Sequence, residues 1–223
     1  MTRILFILIA LILAAQDAPY AAEPPKVPIL RIETGTHLSR ISSIDADRSG
    51  NILVTASLDK TVRIWDSATG KLSSVIRPPI GDQQEGRLEA VAITPDGSIV
   101  ACSGKTGFDW DGAFSLYIFD RISGTMKHRI GGFSQRINTL SFSPDGNYLA
   151  VSLNGDGGLV IYRVPDMSVL GSKRSDGEQL QWIGYSSRGS LLSIASNGVI
   201  KLYEKDGLNV RFSIEFYYPI ARD

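Results

Sequence analysis

The chain has 223 residues, 43% of them apolar, and its 23 basic residues are balanced by 23 acidic ones. That is ample apolar sequence for one or two packed domains, and the neutral balance gives no electrostatic footing for nucleic acid. The single cysteine excludes an internal disulfide, and its setting, Ser98-Ile-Val-Ala-Cys102-Ser, is that of a buried inert thiol rather than a nucleophile or ligand.

Residues 1–22 read as a targeting segment. Arg3 provides a positive start, Ile4 to Ala15 is an unbroken apolar run of 12, and small residues follow. The run is short for a bilayer span, so we expect export, with cleavage after Ala15 or Ala22 and a periplasmic or secreted product. Neither position has a small residue three places before the cut, and an uncleaved segment would anchor the protein in the inner membrane. The Pro-rich residues 23–28 form a stiff spacer, and Ile29 begins a short β-type run to Thr34.

Residues 37–66 hold three β-type runs, 41–46, 52–57 and 61–66, separated by turn chemistry at Arg48-Ser-Gly-Asn and Leu58-Asp-Lys. The run Ile52-Leu-Val-Thr-Ala is apolar at almost every position rather than at alternate ones, which predicts a strand buried on both faces between stacked sheets. The same pattern returns with Thr94-Pro-Asp-Gly97, Ser143-Pro-Asp-Gly146 and Ser186-Ser-Arg-Gly189 as the turn, each followed by a strand pair closing on Phe119-Asp120, Tyr162-Arg163 or Tyr203-Glu204. Gly50, Gly97, Gly146 and Gly189 are 47, 49 and 43 residues apart, close to the roughly 40–45-residue period of propeller blades.

On these residues the chain resembles the WD-repeat β-propeller family, and the first repeat matches the blade consensus from His37 to Trp65-Asp66. The resemblance covers about residues 29–216 and implies an all-β fold of four-stranded blades near 36–77, 85–133, 135–174 and 178–216, with a tail at 217–223. It also implies that residues 29–34 are the outer strand that such chains place at their N-terminus to complete the last blade. The fourth repeat already has an outer-strand candidate in Asn209–Phe216, so the two compete for one slot. Three readings stay open: a partial chain, an arc completed by a second copy or another partner, and a tight four-bladed ring.

The family resemblance further implies a buried hydrogen-bond network of His37, Ser57, Asp59 and Trp65. Its chemistry is coherent, because an indole N–H only donates, a hydroxyl does both, an imidazole relays and a carboxylate accepts. A Ser, His and Asp in one unit also suggests a hydrolase triad, but Trp65 completes the structural set and no nucleophile elbow surrounds Ser57. The later repeats lack the His and replace the Trp, so they are not expected to carry this network.

Antiparallel alternation sends the second-to-third-strand turns and the blade-to-blade crossings to one rim of a blade. The long connections fall there: 77–87, 104–113, 154–158 and 173–179. Binding concentrates on such loops, and the candidate rim residues are Phe108, Asp109, Trp110, Asp111, Asp82, Glu85 and Asp156. Trp110, flanked by carboxylates, is the sharpest anchor for a peptide or a basic side chain, against the alternative that it folds back over the rim. Asp109, Asp111 and Asp156 lack the spacing of a calcium loop, so no metal or cofactor is expected. His128 is expected at the surface of an outer strand. The functional expectation is a non-catalytic scaffold for a protein or peptide ligand. The alternative is the propeller part of a larger enzyme, such as the caspase-like peptidases that similar bacterial chains carry; no such Cys and His pair lies in these 223 residues.

Overall fold

The computed structural model describes residues 34–79, 85–106, 114–174, 179–204 and 209–215. The targeting segment, the spacer, the candidate closing strand apart from Thr34, and the tail lie outside them. The described residues form four antiparallel sheets of four strands each, in chain order. The first blade is β1 (Ile41–Ala46), β2 (Ile52–Ser57), β3 (Val62–Asp66) and β4 (Leu72–Ile76), and the second is β5 (Arg87–Ile93), β6 (Ile99–Lys105), β7 (Phe114–Asp120) and β8 (Met126–Phe133). The third is β9 (Ile137–Phe142), β10 (Tyr148–Leu153), β11 (Gly158–Arg163) and β12 (Val169–Lys173). The fourth is β13 (Leu180–Tyr185), β14 (Leu191–Ala195), β15 (Val199–Tyr203) and β16 (Val210–Glu215).

The turn residues do what their chemistry requires. Gly50, Gly97, Gly146 and Gly189 all have φ between +71° and +86°, where a side chain is strained. In the second blade Thr94 Oγ1 donates to Asp96 Oδ1 at 2.6 Å, and the same carboxylate accepts from Ser98 N at 3.0 Å. The third blade repeats this with Ser143 Oγ donating to Asp145 at 2.6 Å. Side-chain oxygens thus satisfy the turn backbone before any blade packs.

The third strands show how blades stack. Each reads aliphatic, variable, aliphatic, aromatic: Val62-Arg-Ile64-Trp65, Leu116-Tyr-Ile118-Phe119, Leu159-Val-Ile161-Tyr162 and Ile200-Lys-Leu202-Tyr203. With a side-chain period of two, the aliphatic pair and the aromatic point to opposite faces. Val62 and Ile64 join Phe119 in one buried cluster, Leu116 and Ile118 join Tyr162 in another, and Leu159 and Ile161 join Tyr203 in a third. In the first three blades the aliphatic pair therefore packs on the aromatic face of the next blade. Among the described residues no cluster joins the fourth blade to the first, so the four-bladed ring is not closed there.

Inner strands approach closely because their facing side chains are small or polar. Val91 N donates to Ser43 Oγ at 3.2 Å, Ile93 N to Asp45 Oδ2 at 2.9 Å and Tyr185 N to Ser141 Oγ at 3.1 Å. The fourth blade has Trp182 and Gly184 at the corresponding places, and the indole lies over the glycine, 2.3 Å from where a Cβ would stand. Its outward face is a row of Trp182, Ile194, Ile200 and Ile214 beside a row of Gly184, Leu192, Leu202 and Phe212, much of it exposed.

Candidate functional site

The strand order places the connections β4–β5, β6–β7, β10–β11 and β12–β13 on one rim, as antiparallel alternation demands. Their bases are rigid. The turn after each second strand bonds to the approach of its own inner strand: Leu58 N to Arg40 O at 3.1 Å, Asn154 N to Arg136 O at 2.7 Å and Ser196 N to Gln179 O at 2.9 Å. In the second blade Gly86 N reaches Lys105 O at 2.7 Å, and a Cβ on Gly104 would stand only 1.9 Å from Arg87 O. That contact explains the glycine at this point of β6.

Of the expected rim residues, Glu85 is half-buried just before β5 and Asp156 is exposed in the 3-10 turn Gly155–Gly157. They stand on connections of different blades. Asp82, Phe108, Asp109, Trp110 and Asp111 lie outside the described residues. Among the described residues no group of three or more His, Cys, Asp or Glu side chains is placed to hold a metal ion. Cys102 is fully buried, and burial pushes its thiol far up. His128 is half-buried on β8 rather than fully at the surface, because it pairs across to Ile118 of β7.

The polar network under the first blade forms around a different hydroxyl from the one expected. Trp65 Nε1 donates to Thr55 Oγ1 at 2.8 Å, Thr55 Oγ1 meets His37 Nε2 at 2.7 Å, and His37 Nδ1 meets Asp59 Oδ2 at 2.8 Å. The indole can only donate, so the Thr55 proton is left for His37 Nε2 and the ring proton on Nδ1 goes to Asp59. Ser57 instead donates to Ser39 O at 3.2 Å and accepts from Asp59 N at 3.0 Å. The register decides this: Trp65 lies opposite Leu53, so Thr55 is its diagonal neighbour, while Ser57 is two residues further along β2. Burial would raise Asp59, but the Thr61 hydroxyl, the Leu38 N–H and His37 outweigh it and hold the carboxyl below its ordinary range. Every polar group is occupied by another, which is the arrangement of a brace rather than of a nucleophile and its base.

At the inner mouth of the same rim the structure adds residues that sequence reasoning missed. Glu89 on β5 pairs with Arg136, Nε to Oε2 at 3.3 Å, and burial raises its carboxyl against the opposing pull of Arg136 and Arg40. The three residues belong to three blades, and no local spacing signals their meeting.

The opposite rim, which carries the Pro-Asp-Gly turns, holds a cleft of about 550 Å³. Arg48 reaches from the first blade and donates to Pro144 O of the third, and Thr94, Asp96, Asp145 and Asn147 line the space between. The Asp96 carboxylate is already bound within its own turn by Thr94 and Ser98 and lies below its ordinary range for that reason.

The family model described as WD domain, G-beta repeat matches residues 30–66 and 124–163, the second match running from β8 through β11. The chain is 27% identical over 174 residues to pre-mRNA-processing factor 19 of Dictyostelium discoideum, across 75% of this chain and 31% of that protein. It is 25% identical over 162 residues to the small ribosomal subunit protein RACK1 of Caenorhabditis elegans, across 69% of this chain and 46% of that protein. A solved structure, Kuenenia stuttgartiensis hydrazine synthase, superposes with a TM-score of 0.65 at 16% identity, over 84% of this chain and 53% of that one. The chain spans from about a fifth to about half the length of the curated relatives it matches. Four antiparallel four-stranded sheets stacked aliphatic pair on aromatic have the architecture of WD-repeat propeller blades, and the repeat model matches two stretches of them.

Proposed function

We propose that the chain is a non-catalytic scaffold that presents the rim of β4–β5, β6–β7, β10–β11 and β12–β13 connections to a protein or peptide outside the cytoplasm. The observation that carries the reading is the concentration of the long connections on that rim, above bases stapled by backbone hydrogen bonds. Loops held on a rigid scaffold are the usual seat of recognition. The WD-repeat relatives, one of them a ribosomal subunit protein by its name, support a role in assemblies. Export rests on the apolar run that starts at Ile4. The test is a pull-down from extracytoplasmic extract, followed by titration of the captured protein. Trp110→Ala should weaken binding by about 2 kcal/mol or more, as for an aromatic hot spot, while Asp145→Ala leaves it nearly unchanged. Binding lost in Asp145→Ala and kept in Trp110→Ala would place recognition at the opposite rim and refute the proposal.

A further inference from the structure

Among the described residues each blade ends in an outer strand with one edge unpaired, and edges of this kind are ready templates for another strand. Three of the four lack the opposite charges that could fix a register against a second copy of themselves: β4 carries no charge, β8 carries Lys127 and Arg129, and β12 ends in a lone Lys173. A second copy laid antiparallel on β8 would bring like charges close together. β16 carries one charge of each sign, Arg211 and Glu215. All six of its residues are exposed, with Val210 at 38%, Phe212 at 53% and Ile214 at 38%.

Its order, Val210-Arg211-Phe212-Ser213-Ile214-Glu215, is symmetric in chemistry about Ser213. Arg211 and Glu215 share one face with Ser213, and Phe212 and Ile214 share the other, since side chains alternate along a strand. A two-fold axis through Ser213 places Arg211 opposite Glu215 of the partner subunit and Phe212 opposite the partner's Ile214, twice each. A slip of two residues loses both ion pairs, and a slip of one sends Phe212 to the charged face. The strand thus specifies its own register against itself. We propose that β16 is a self-recognition edge, at which two copies of this chain pair antiparallel and join their fourth blades into one eight-stranded sheet. The contact is isologous, so it closes at two copies rather than growing into a fibre.

Sedimentation velocity on the full chain over a concentration series tests this. The weight-average mass should rise towards twice that of the chain. Arg211→Glu or Glu215→Arg alone sets like charges opposite each other at both pairs and should weaken association by about tenfold or more. An equimolar mixture of these two variants should dimerise where neither does alone, because each supplies the charge that the other now needs. Both positions are exposed, so circular dichroism should show unchanged folding. A chain that stays monomeric throughout the series overturns the proposal. So do single reversals that leave association unchanged, or a mixture that associates no better than its components.

Discussion

Thr55→Val removes one oxygen from the first blade and keeps the side chain's shape, and its effect can be worked from the network. Thr55 is 6% exposed, and its hydroxyl receives the Trp65 indole at 2.8 Å and meets His37 Nε2 at 2.7 Å. The valine leaves both partners without their bond in a site that admits little water. An unmade buried hydrogen bond costs about 1–3 kcal/mol, and Trp65 is half-buried and recovers part of its share from solvent, so a loss of about 2–4 kcal/mol is expected. Ser57→Ala deletes a hydroxyl that serves only local backbone groups and should cost about 1 kcal/mol. Thr55→Ser, which keeps the oxygen, should fall close to the parent. The assay is a urea titration followed by circular dichroism, with tryptophan fluorescence as a second probe. The hub would be the wrong residue if Ser57→Ala costs more than Thr55→Val, or if Thr55→Val unfolds within about 0.5 kcal/mol of the parent, the usual spread for neutral surface changes.

Burial raises Asp45, against the hydrogen bonds from Ile93 N and Ala46 N, so folding favours its protonated form and its contribution to stability declines as pH rises through the folded value. Asp45→Asn keeps an oxygen for Ile93 N and should raise the urea midpoint at pH 7, with the gain shrinking as pH falls towards the ordinary aspartate value of 3.8; a gain that does not vary with pH would refute this. Gly50→Ala should cost about 1–2 kcal/mol for its positive φ alone, since nothing stands within 4 Å of the added carbon. Gly97→Ala meets Ile52 Cδ1 at 2.8 Å as well and should cost measurably more in the same titration. A reporter fused after Arg40 should cross the inner membrane and lose about 2 kDa on processing, and a cytosolic, full-length product would overturn the export expectation.

What could be read in advance depended on how local the cause was. Turn chemistry sits within four residues, so Gly50, Gly97, Gly146 and Gly189 announce the blades, and β1 and β2 fall on the runs drawn from the sequence. The hub of the polar network could not be read this way. Ser57 and Thr55 are both hydroxyls on one face of β2, and only the pairing of Leu53 with Trp65 brings the indole to Thr55. Glu89 is paired by Arg136, some 47 residues away in a different blade, a meeting that depends on how blades stack. The cleft beneath Arg48 likewise needs three blades to exist. Trp182 reads as an ordinary aromatic of an inner strand until Gly184, two residues on, is seen beneath its ring.

Because each apolar cluster of the described residues joins one blade to its neighbour in the chain, the fold suits assembly during synthesis. The inner-strand bonds from Ile93 N to Asp45 and from Tyr185 N to Ser141 join residues 48 and 44 positions apart. A blade leaving the ribosome therefore finds its whole docking surface already made, and each step closes a loop of about one repeat, whose entropic cost barely changes along the chain. Stability then adds like links in a row, each set by one blade and one junction.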